Sequence, residues 1–281
     1  MRFTKMHGLG NCYIYVNCFT ETVKDAPALA RAVSDRNTGV GSDGLILIRP
    51  PREGGDARME MYNMDGSRGQ MCGNAVRCVA KYVYDHGLSK SNPMRIETDA
   101  GVRVLDLTVA DGKVTHARVD MGRPRLAPGD LPVKLTPDQM IDYPIEVAGR
   151  AATMTCVSMG NPHAVIYGVP LAELAPWKLE QEGRKIECHE LFPERTNVHF
   201  VEVMSPREIR VLVWERGSGA TAACGTGASA CCVAGVLTGR SGREVTVHLP
   251  GGPLAIEWRE SDDHVYMTGP AVEIFSGDWP E

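Results

Sequence analysis

Two stretches of the chain place a cysteine where thiol chemistry is favoured. One reads Asn63-Met-Asp-Gly-Ser-Arg-Gly-Gln-Met-Cys72-Gly73-Asn74-Ala75, the other Glu215-Arg-Gly-Ser-Gly-Ala-Thr-Ala-Ala-Cys224-Gly225-Thr226-Gly227. In each, a strand-like run ends at a polar residue, a Gly-rich loop follows, and Cys-Gly then opens a run of small and apolar residues with helical character. The polar residue precedes the cysteine by the same distance in both (72 − 63 = 9 and 224 − 215 = 9). A cysteine at such a junction lies among unpaired backbone N–H groups and at the positive end of a helix dipole, both of which favour thiolate over thiol. A thiol with a pKa near 8.5 then serves as base or acid around neutrality, and the same N–H groups also suit a carboxylate. Two such loops on opposite sides of one tetrahedral carbon would remove a proton from one face and return it to the other, as inversion of a free amino acid requires.

The elements that must position these loops are mostly strands. Residues 2–6 and 12–18 read as strands separated by Gly8-Leu-Gly10-Asn11, and residues 27–35 as a helix with Pro27 at its start. Leu45-Ile-Leu-Ile48 is a buried-strand run, and residues 57–62 alternate into the first cysteine loop. Val76 to Tyr84 carries apolar residues at helical spacing and stops near Gly87. Further strands are expected at 95–98, 102–109, 114–120, 144–148, 152–158 and up to Tyr167. A helix is expected near 171–182, with Pro176 either in its first turn or breaking it. Strands at 198–203 and 208–214 lead into the second loop, Ala228–Leu237 is the matching helix, and strands near 244–249, 253–259, 264–268 and 271–275 close the chain.

The second half repeats the first. The cysteine loops are offset by 152 (224 − 72), and Gly10-Asn11 and Gly160-Asn161 by 150 (160 − 10), each preceding a strand. The turn at Gly101 matches Gly251-Gly252, and Asp120-Met-Gly122-Arg-Pro124 resembles Met267-Thr-Gly269-Pro270. Landmarks in constant order at a nearly constant offset indicate duplication of a β-rich unit carrying one central helix. The Pro- and Gly-rich stretch 122–137 marks the change of domain. The expected halves are residues 1–125, carrying Cys72, and 126–281, carrying Cys224, with the last strand a candidate to return to the first half.

Composition narrows the function. A net charge of −5 argues against nucleic acid or an anionic membrane surface as the partner. No apolar run reaches membrane-spanning length, and Met1-Arg-Phe-Thr-Lys5 enters a strand with no signal-like segment, so the cytoplasm is expected. Nine cysteines, an odd number, fit reduced thiols better than a disulfide framework. None forms a Cys-x-x-Cys pair, so no structural metal is expected. Cys18, Cys78, Cys156, Cys231 and Cys232 read as small buried hydrophobes.

The segments Met6-His-Gly-Leu-Gly-Asn11, Gln70-Met-Cys72-Gly-Asn74-Ala-Val-Arg77-Cys78, Ser158-Met-Gly-Asn161-Pro-His163, Glu194-Arg-Thr-Asn197, Glu215-Arg216-Gly with Ala-Cys224-Gly-Thr-Gly, Leu249-Pro-Gly-Gly252 and Tyr266-Met-Thr-Gly-Pro270 resemble the diaminopimelate epimerase family, from about residue 2 to residue 275. The two cysteine motifs mark its wider superfamily of cofactor-independent racemases; the Asn161-Pro-His163 and Glu215-Arg216 segments point to the epimerases. The resemblance implies interconversion of LL- and meso-diaminopimelate in lysine and cell-wall biosynthesis, with no cofactor. It implies an α+β fold of two pseudo-symmetric domains, each a β-barrel-like sheet around a central helix, and a homodimer. It places the catalytic thiols at Cys72 and Cys224, groups tuning them at His163 and Glu215, and backbone donors for the α-carboxylate at Gly73, Asn74, Gly225 and Thr226. Asn11, Asn63, Asn161, Asn197, Glu215 and Arg216 fall on substrate positions, a set suited to the second, non-reacting amino-acid end. Leaving such polar groups unpaired would penalise a shorter substrate.

The sequence departs from the common family pattern at Cys12, where Asp is usual, at Gly44, where some members have Gln, and at Ala220, where many have Glu. Other readings of single residues stay open. The asparagines also suit turn backbones, Arg216 a solvated charge and His163 a satisfied core histidine. A racemase of another amino acid, a non-enzymatic binder, or a thiol switch joining Cys72 to Cys224 would use the same two loops.

Overall fold

The computed structural model describes residues 1–280, so the last residue of the expected second half lies outside it. The chain forms two compact units, Met1–Asp120 together with the segment from Thr268 onward, and Met121–Met267. The first unit runs β1 (Arg2–Gly8), β2 (Asn11–Asn17), α1 (Ala26–Ser34), β3 (Gly44–Arg49), β4 (Ala57–Asn63), β5 (Arg68–Gly69), α2 (Gly73–Asp85), β6 (Met94–Thr98), β7 (Gly101–Ala110) and β8 (Lys113–Asp120). The second runs β9 (Tyr143–Val147), β10 (Arg150–Ser158), β11 (Pro162–Tyr167), α3 (Pro176–Glu187), β12 (Asn197–Ser205), β13 (Glu208–Glu215), β14 (Gly219–Ala220), α4 (Gly225–Leu237), β15 (Glu244–Leu249), β16 (Gly252–Trp258) and β17 (Val265–Pro270), the boundary falling inside β17. The last strand, β18 (Val272–Asp278), pairs antiparallel with β1 from Arg2↔Asp278 to His7↔Val272 and so belongs to the first unit.

The duplication holds at the level of strand pairing. In the first unit β1–β2 is antiparallel, β2–β3 parallel, β3–β4 antiparallel, β4–β6 parallel and β6–β7 antiparallel. The second repeats the series as β10–β11, β11–β12, β12–β13, β13–β15 and β15–β16. Each parallel step needs a crossover, since a tight hairpin cannot join parallel strands. Helices α1 and α3 supply the first crossover of each unit; α2 and α4 supply the second. Strands with parallel neighbours are covered on both faces and read as unbroken apolar runs. Leu45, Ile46, Leu47 and Ile48 of β3 are buried, as is every residue of β11.

The helices follow their local signals. Asp25 caps α1, its Oδ1 accepting from Ala28 N at 2.9 Å, with Pro27 in the first turn. The segment near 171–182, read as a helix with Pro176 in its first turn or breaking it, is a short 3₁₀ turn, Leu171–Glu173, followed by α3 starting at Pro176. Proline has no N–H to bond back into a preceding turn but is suited to a helix start, so it divides the segment. Ala228, Ser229, Ala230, Cys231, Cys232, Val233 and Ala234 of α4 are all buried, which explains its run of small residues: a helix closely wrapped by strands must be slim. Among the described residues no helix is long and apolar enough to cross a membrane.

Candidate active site

Each cysteine loop is built alike. In the first unit β4 ends at Asn63, turns, and returns as β5 with Met61 opposite Gly69 and Tyr62 opposite Arg68. In the second, β13 ends at Glu215 and returns as β14 with Trp214 opposite Ala220 and Glu215 opposite Gly219. Both hairpins then deliver a cysteine to the N-cap of a 13-residue helix. Cys72 caps α2 with φ −135° and ψ 122°, and Cys224 caps α4 with φ −121° and ψ 109°. Each carbonyl accepts the first helical hydrogen bond, Val76 N to Cys72 O and Ala228 N to Cys224 O, both at 2.9 Å. The N–H groups between each cap and that first donor have no acceptor within the helix.

Around Cys72 the first unit gathers Asn11, Asn74 and Arg77. Cys72 Sγ donates to Asn11 Oδ1 at 3.4 Å. Asp43 fixes that asparagine, its Oδ2 accepting from Asn11 Nδ2 at 3.0 Å and from Cys12 N at 2.7 Å. Arg77 is fully buried, donating to Gly73 O at 3.1 Å, Asn74 Oδ1 at 2.9 Å and Pro270 O at 3.2 Å. It ties the first turn of α2 to Pro270 within the same unit. Asn63 serves its own turn, donating from Nδ2 to Ser67 Oγ at 2.9 Å. Gly44 has φ +154°, and a Cβ there would overlap the Tyr62 carbonyl, so at this position the backbone requires glycine. Burial pushes the Cys12 thiol up, with Lys5 opposing, as expected of a packing residue.

Around Cys224 the second unit gathers a longer chain of polar groups. Burial first, and the Glu215 carboxylate second, push the Cys224 thiol well above its ordinary value; hydrogen bonds from Thr226 and from the Gly227 N–H oppose them. This corrects the expectation that a helix N-terminus favours the thiolate. At Cys224 desolvation and a neighbouring carboxylate outweigh the helix, and the group rests as a thiol hydrogen-bonded to Glu215. Thr221 Oγ1 steadies that carboxylate, donating to Oε1 at 2.6 Å. Cys224 Sγ also lies 3.5 Å from Thr226 Oγ1.

Hydrogen bonding fixes the tautomers of two buried histidines. Asn161 Nδ2 donates to Thr226 Oγ1 at 3.3 Å, leaving Oδ1 to face His163 Nε2 at 2.9 Å. Nε2 therefore carries the proton. Nδ1 of the neutral ring then accepts from His199 Nε2 at 2.9 Å. His199 Nδ1 is left buried with no hydrogen-bond partner among the described residues. Burial, then His199 and Arg216, hold His163 well below its ordinary value, and burial alone takes His199 down to about 3. Both rings are neutral. Nearby, Asn197 Nδ2 donates to Pro162 O at 2.9 Å and its Oδ1 accepts from Arg216 N at 3.0 Å, while Arg216 Nη1 donates to Glu194 O at 3.0 Å.

The structure thus brings together, within the second unit, Asn161, His163, Glu215, Cys224 and Thr226, and separately Asn197 with Arg216. Within the first it brings together Asn11, Cys72, Gly73 and Asn74. Three residues escaped the sequence reading. His199 lies two positions beyond Asn197 on β12, and that alternation was the available signal. Gly227 permits its approach, since a Cβ there would overlap the His199 ring. Asp43 acts on Asn11 across 32 positions of chain, which no local pattern announces, and Arg77 joins its own helix turn at Gly73 and Asn74 to the distant Pro270.

These buried groups make stability depend on pH from both sides. Burial raises Cys78 to about 11, and Cys156 and Cys232 to about 12. The unfolded chain releases these protons near pH 8.5 and the folded chain keeps them, so stability is full below that pH and falls as pH rises toward the folded values. The slope is more than about 1 kcal/mol per thiol per pH unit. His163 and His199 are depressed, so their contribution is present above pH 6.5, the unfolded value, and is lost as pH falls below it. Denaturant midpoints should therefore peak between about pH 6.5 and 8.5. An unchanged midpoint between pH 8 and about 10 would contradict the buried-thiol assignment.

The diaminopimelate epimerase family model matches residues 3–127 and 155–274. The chain is 55% identical to a diaminopimelate epimerase of Acetivibrio thermocellus over 99% of this chain and 98% of the relative, and 51% identical to one of Pelotomaculum thermopropionicum over 100% and 99%. A crystal structure described as a probable proline racemase from Agrobacterium radiobacter K84 has the same fold, with a TM-score of 0.70 at 16% identity, over 99% of this chain and 92% of that one. Two cysteine-capped helices in duplicated α+β units, with this similarity along nearly all of the sequence, have one conclusion: the chain belongs to the diaminopimelate epimerase family.

Proposed function

We propose that the chain interconverts LL- and meso-diaminopimelate by transferring the α-proton between two thiols, Cys72 and Cys224, in lysine and peptidoglycan precursor synthesis. The observation that carries this is the paired placement of the two cysteines as N-caps of equivalent helices, in a chain 55% identical to a relative bearing that name. One thiolate takes the α-proton; the other thiol gives its proton to the opposite face of the carbanion, and the reverse reaction exchanges the roles. The backbone N–H groups of Gly73, Asn74, Gly225 and Thr226 hold the α-carboxylate, where they also offset charge that develops as the proton leaves.

His163 and Glu215 prepare Cys224. Glu215 accepts the thiol hydrogen bond, and the neutral His163, with its proton held on Nε2 by Asn161, adds no positive charge to the pocket. Asn11, Asn63, Asn161, Asn197, Glu215 and Arg216 are the proposed contacts for the substrate, the distal amino-acid end included. A homodimer in the cytoplasm is the proposed setting; the nine free cysteines are in keeping with a reducing compartment.

Incubation with LL-diaminopimelate in deuterated water under reducing conditions tests the reading. Meso product should carry deuterium at one α-carbon, read by mass spectrometry and NMR. Folded protein that gives neither product nor exchange overturns it. A substrate panel with proline and histidine separates it from a racemase of another amino acid. Loss of the distal carboxylate and amine should lower kcat/KM by about 10⁴-fold, because buried polar partners are left unpaired.

A further inference from the structure

We propose that His163, His199 and Cys224 form a site for a borderline-soft divalent cation of the zinc class, and that occupation of this site holds Cys224 out of proton transfer. One ligand atom from each of the three lies within 4.8 Å of the others, and all three residues are buried. Two imidazole nitrogens and one thiolate sulfur are the donors that zinc prefers, and three protein ligands leave a fourth position for water or a substrate group. The donors come from backbone already fixed: β11 and β12 are adjacent parallel strands with His163 opposite Asn197 and Val165 opposite His199, and Cys224 caps α4.

A second observation points the same way. His199 Nδ1 is a buried lone pair with no donor among the described residues, an uncommon state for a buried polar atom. A cation relieves it, either by direct coordination at Nδ1 or by taking Nε2 and moving the ring proton to Nδ1. His163 already has the outer-shell bond typical of a metal-bound imidazole, Nε2–H to Asn161 Oδ1 at 2.9 Å. Its Nδ1 is unprotonated and has only to turn from His199 to the ion. Two nitrogens bound tetrahedrally sit about 3.3 Å apart. The 2.9 Å between His163 Nδ1 and His199 Nε2 therefore opens by only a few tenths of an ångström if those are the donors.

The step balances simply. The thiol gives its proton to solvent and the sulfur lone pair to the cation; both rings are neutral and release nothing further, so one proton leaves per ion bound. No group is oxidised or reduced. A coordinated thiolate is neither a free base nor a proton donor. This inhibitory consequence rests on the role proposed for Cys224; the binding does not.

Cobalt(II) titrated into the reduced full chain is the test. The expected result is one equivalent bound, a thiolate-to-cobalt charge-transfer band, release of about one proton per ion near pH 7, and displacement of cobalt by zinc. His199→Gln should weaken cobalt binding at least about 10-fold, Cys224→Ala should remove the band, and Cys188→Ala, at an exposed cysteine beside His189, should leave it intact. Absence of a one-to-one band, its survival in Cys224→Ala, or unchanged affinity in His199→Gln overturns the site. Should His199→Gln not fold by circular dichroism, the unaltered chain decides. Zinc must slow iodoacetamide labelling of Cys224, read by peptide mass, and equal labelling with and without zinc overturns the site. Zinc binding with undiminished epimerisation leaves the site standing and overturns the inhibition, and with it the role of Cys224.

Discussion

Cys224→Ala should epimerise diaminopimelate about 10⁴-fold more slowly than the unaltered chain, and Cys72→Ala should do the same, because under the proposed two-thiol mechanism each variant lacks one of two proton-transfer groups. The more discriminating readout is what each variant still does. With one thiol left, a proton removed from one face can only return to that face. In deuterated water each variant should exchange the α-proton of one stereoisomer without inverting it, and the two variants should favour opposite stereoisomers. Inversion at undiminished rate in either variant refutes the two-thiol mechanism. Exchange without inversion in both shows it directly. The fold should survive in both, since a thiol and a methyl differ by one small group. At Cys224 the change removes a thiol held to Glu215 and Thr226, so a modest loss of stability, of about 1 kcal/mol, accompanies it.

Arg77→Met should have the largest effect on stability, about 3 kcal/mol, or a fall in Tm of roughly 6–12 °C for a domain of this size. The guanidinium is fully buried and donates to Gly73 O, Asn74 Oδ1 and Pro270 O, all neutral acceptors. A methionine of similar length fills the space but withdraws the guanidinium's donors from these oxygens. Burial lowers the pKa of Arg77, though arginine remains charged at any working pH. The same change loosens the turn that carries Gly73 and Asn74, so kcat/KM should fall at temperatures where the variant is still folded. Thermal denaturation with kinetics at 20 °C separates the two effects. An unchanged Tm would show that these bonds contribute nothing net.

Much of the machinery was legible in the sequence because it is local. A cysteine between a glycine loop and a helical run is an N-cap wherever the rest of the chain goes, and the nine-residue spacing from Asn63 and from Glu215 is one hairpin used twice. The repeat of turn landmarks anticipated the repeated pairing order, since both descend from the same alternation of strands and crossovers. Pro176 illustrates the limit of such reading: its chemistry allowed either a break or a start, and only the packed chain shows a 3₁₀ turn before it and a helix after it.

What the sequence by itself determined about this protein is the place of Cys72 and Cys224 at helix N-termini, the duplicated order of its elements and the family to which it belongs. These follow from residue type and short-range spacing. The tertiary structure decided the electrostatic character of the second thiol, because desolvation is a property of everything packed around a group. The helix end alone predicts a thiolate at Cys224; burial and the Glu215 carboxylate make it a thiol. It also decided which residues stand behind the predicted ones. Asp43 behind Asn11 and His199 behind His163 act across 32 (43 − 11) and 36 (199 − 163) positions of chain. The two long separations are closed by parallel strand pairing, β2 with β3 and β11 with β12, and a crossover's length is not written in either strand it joins.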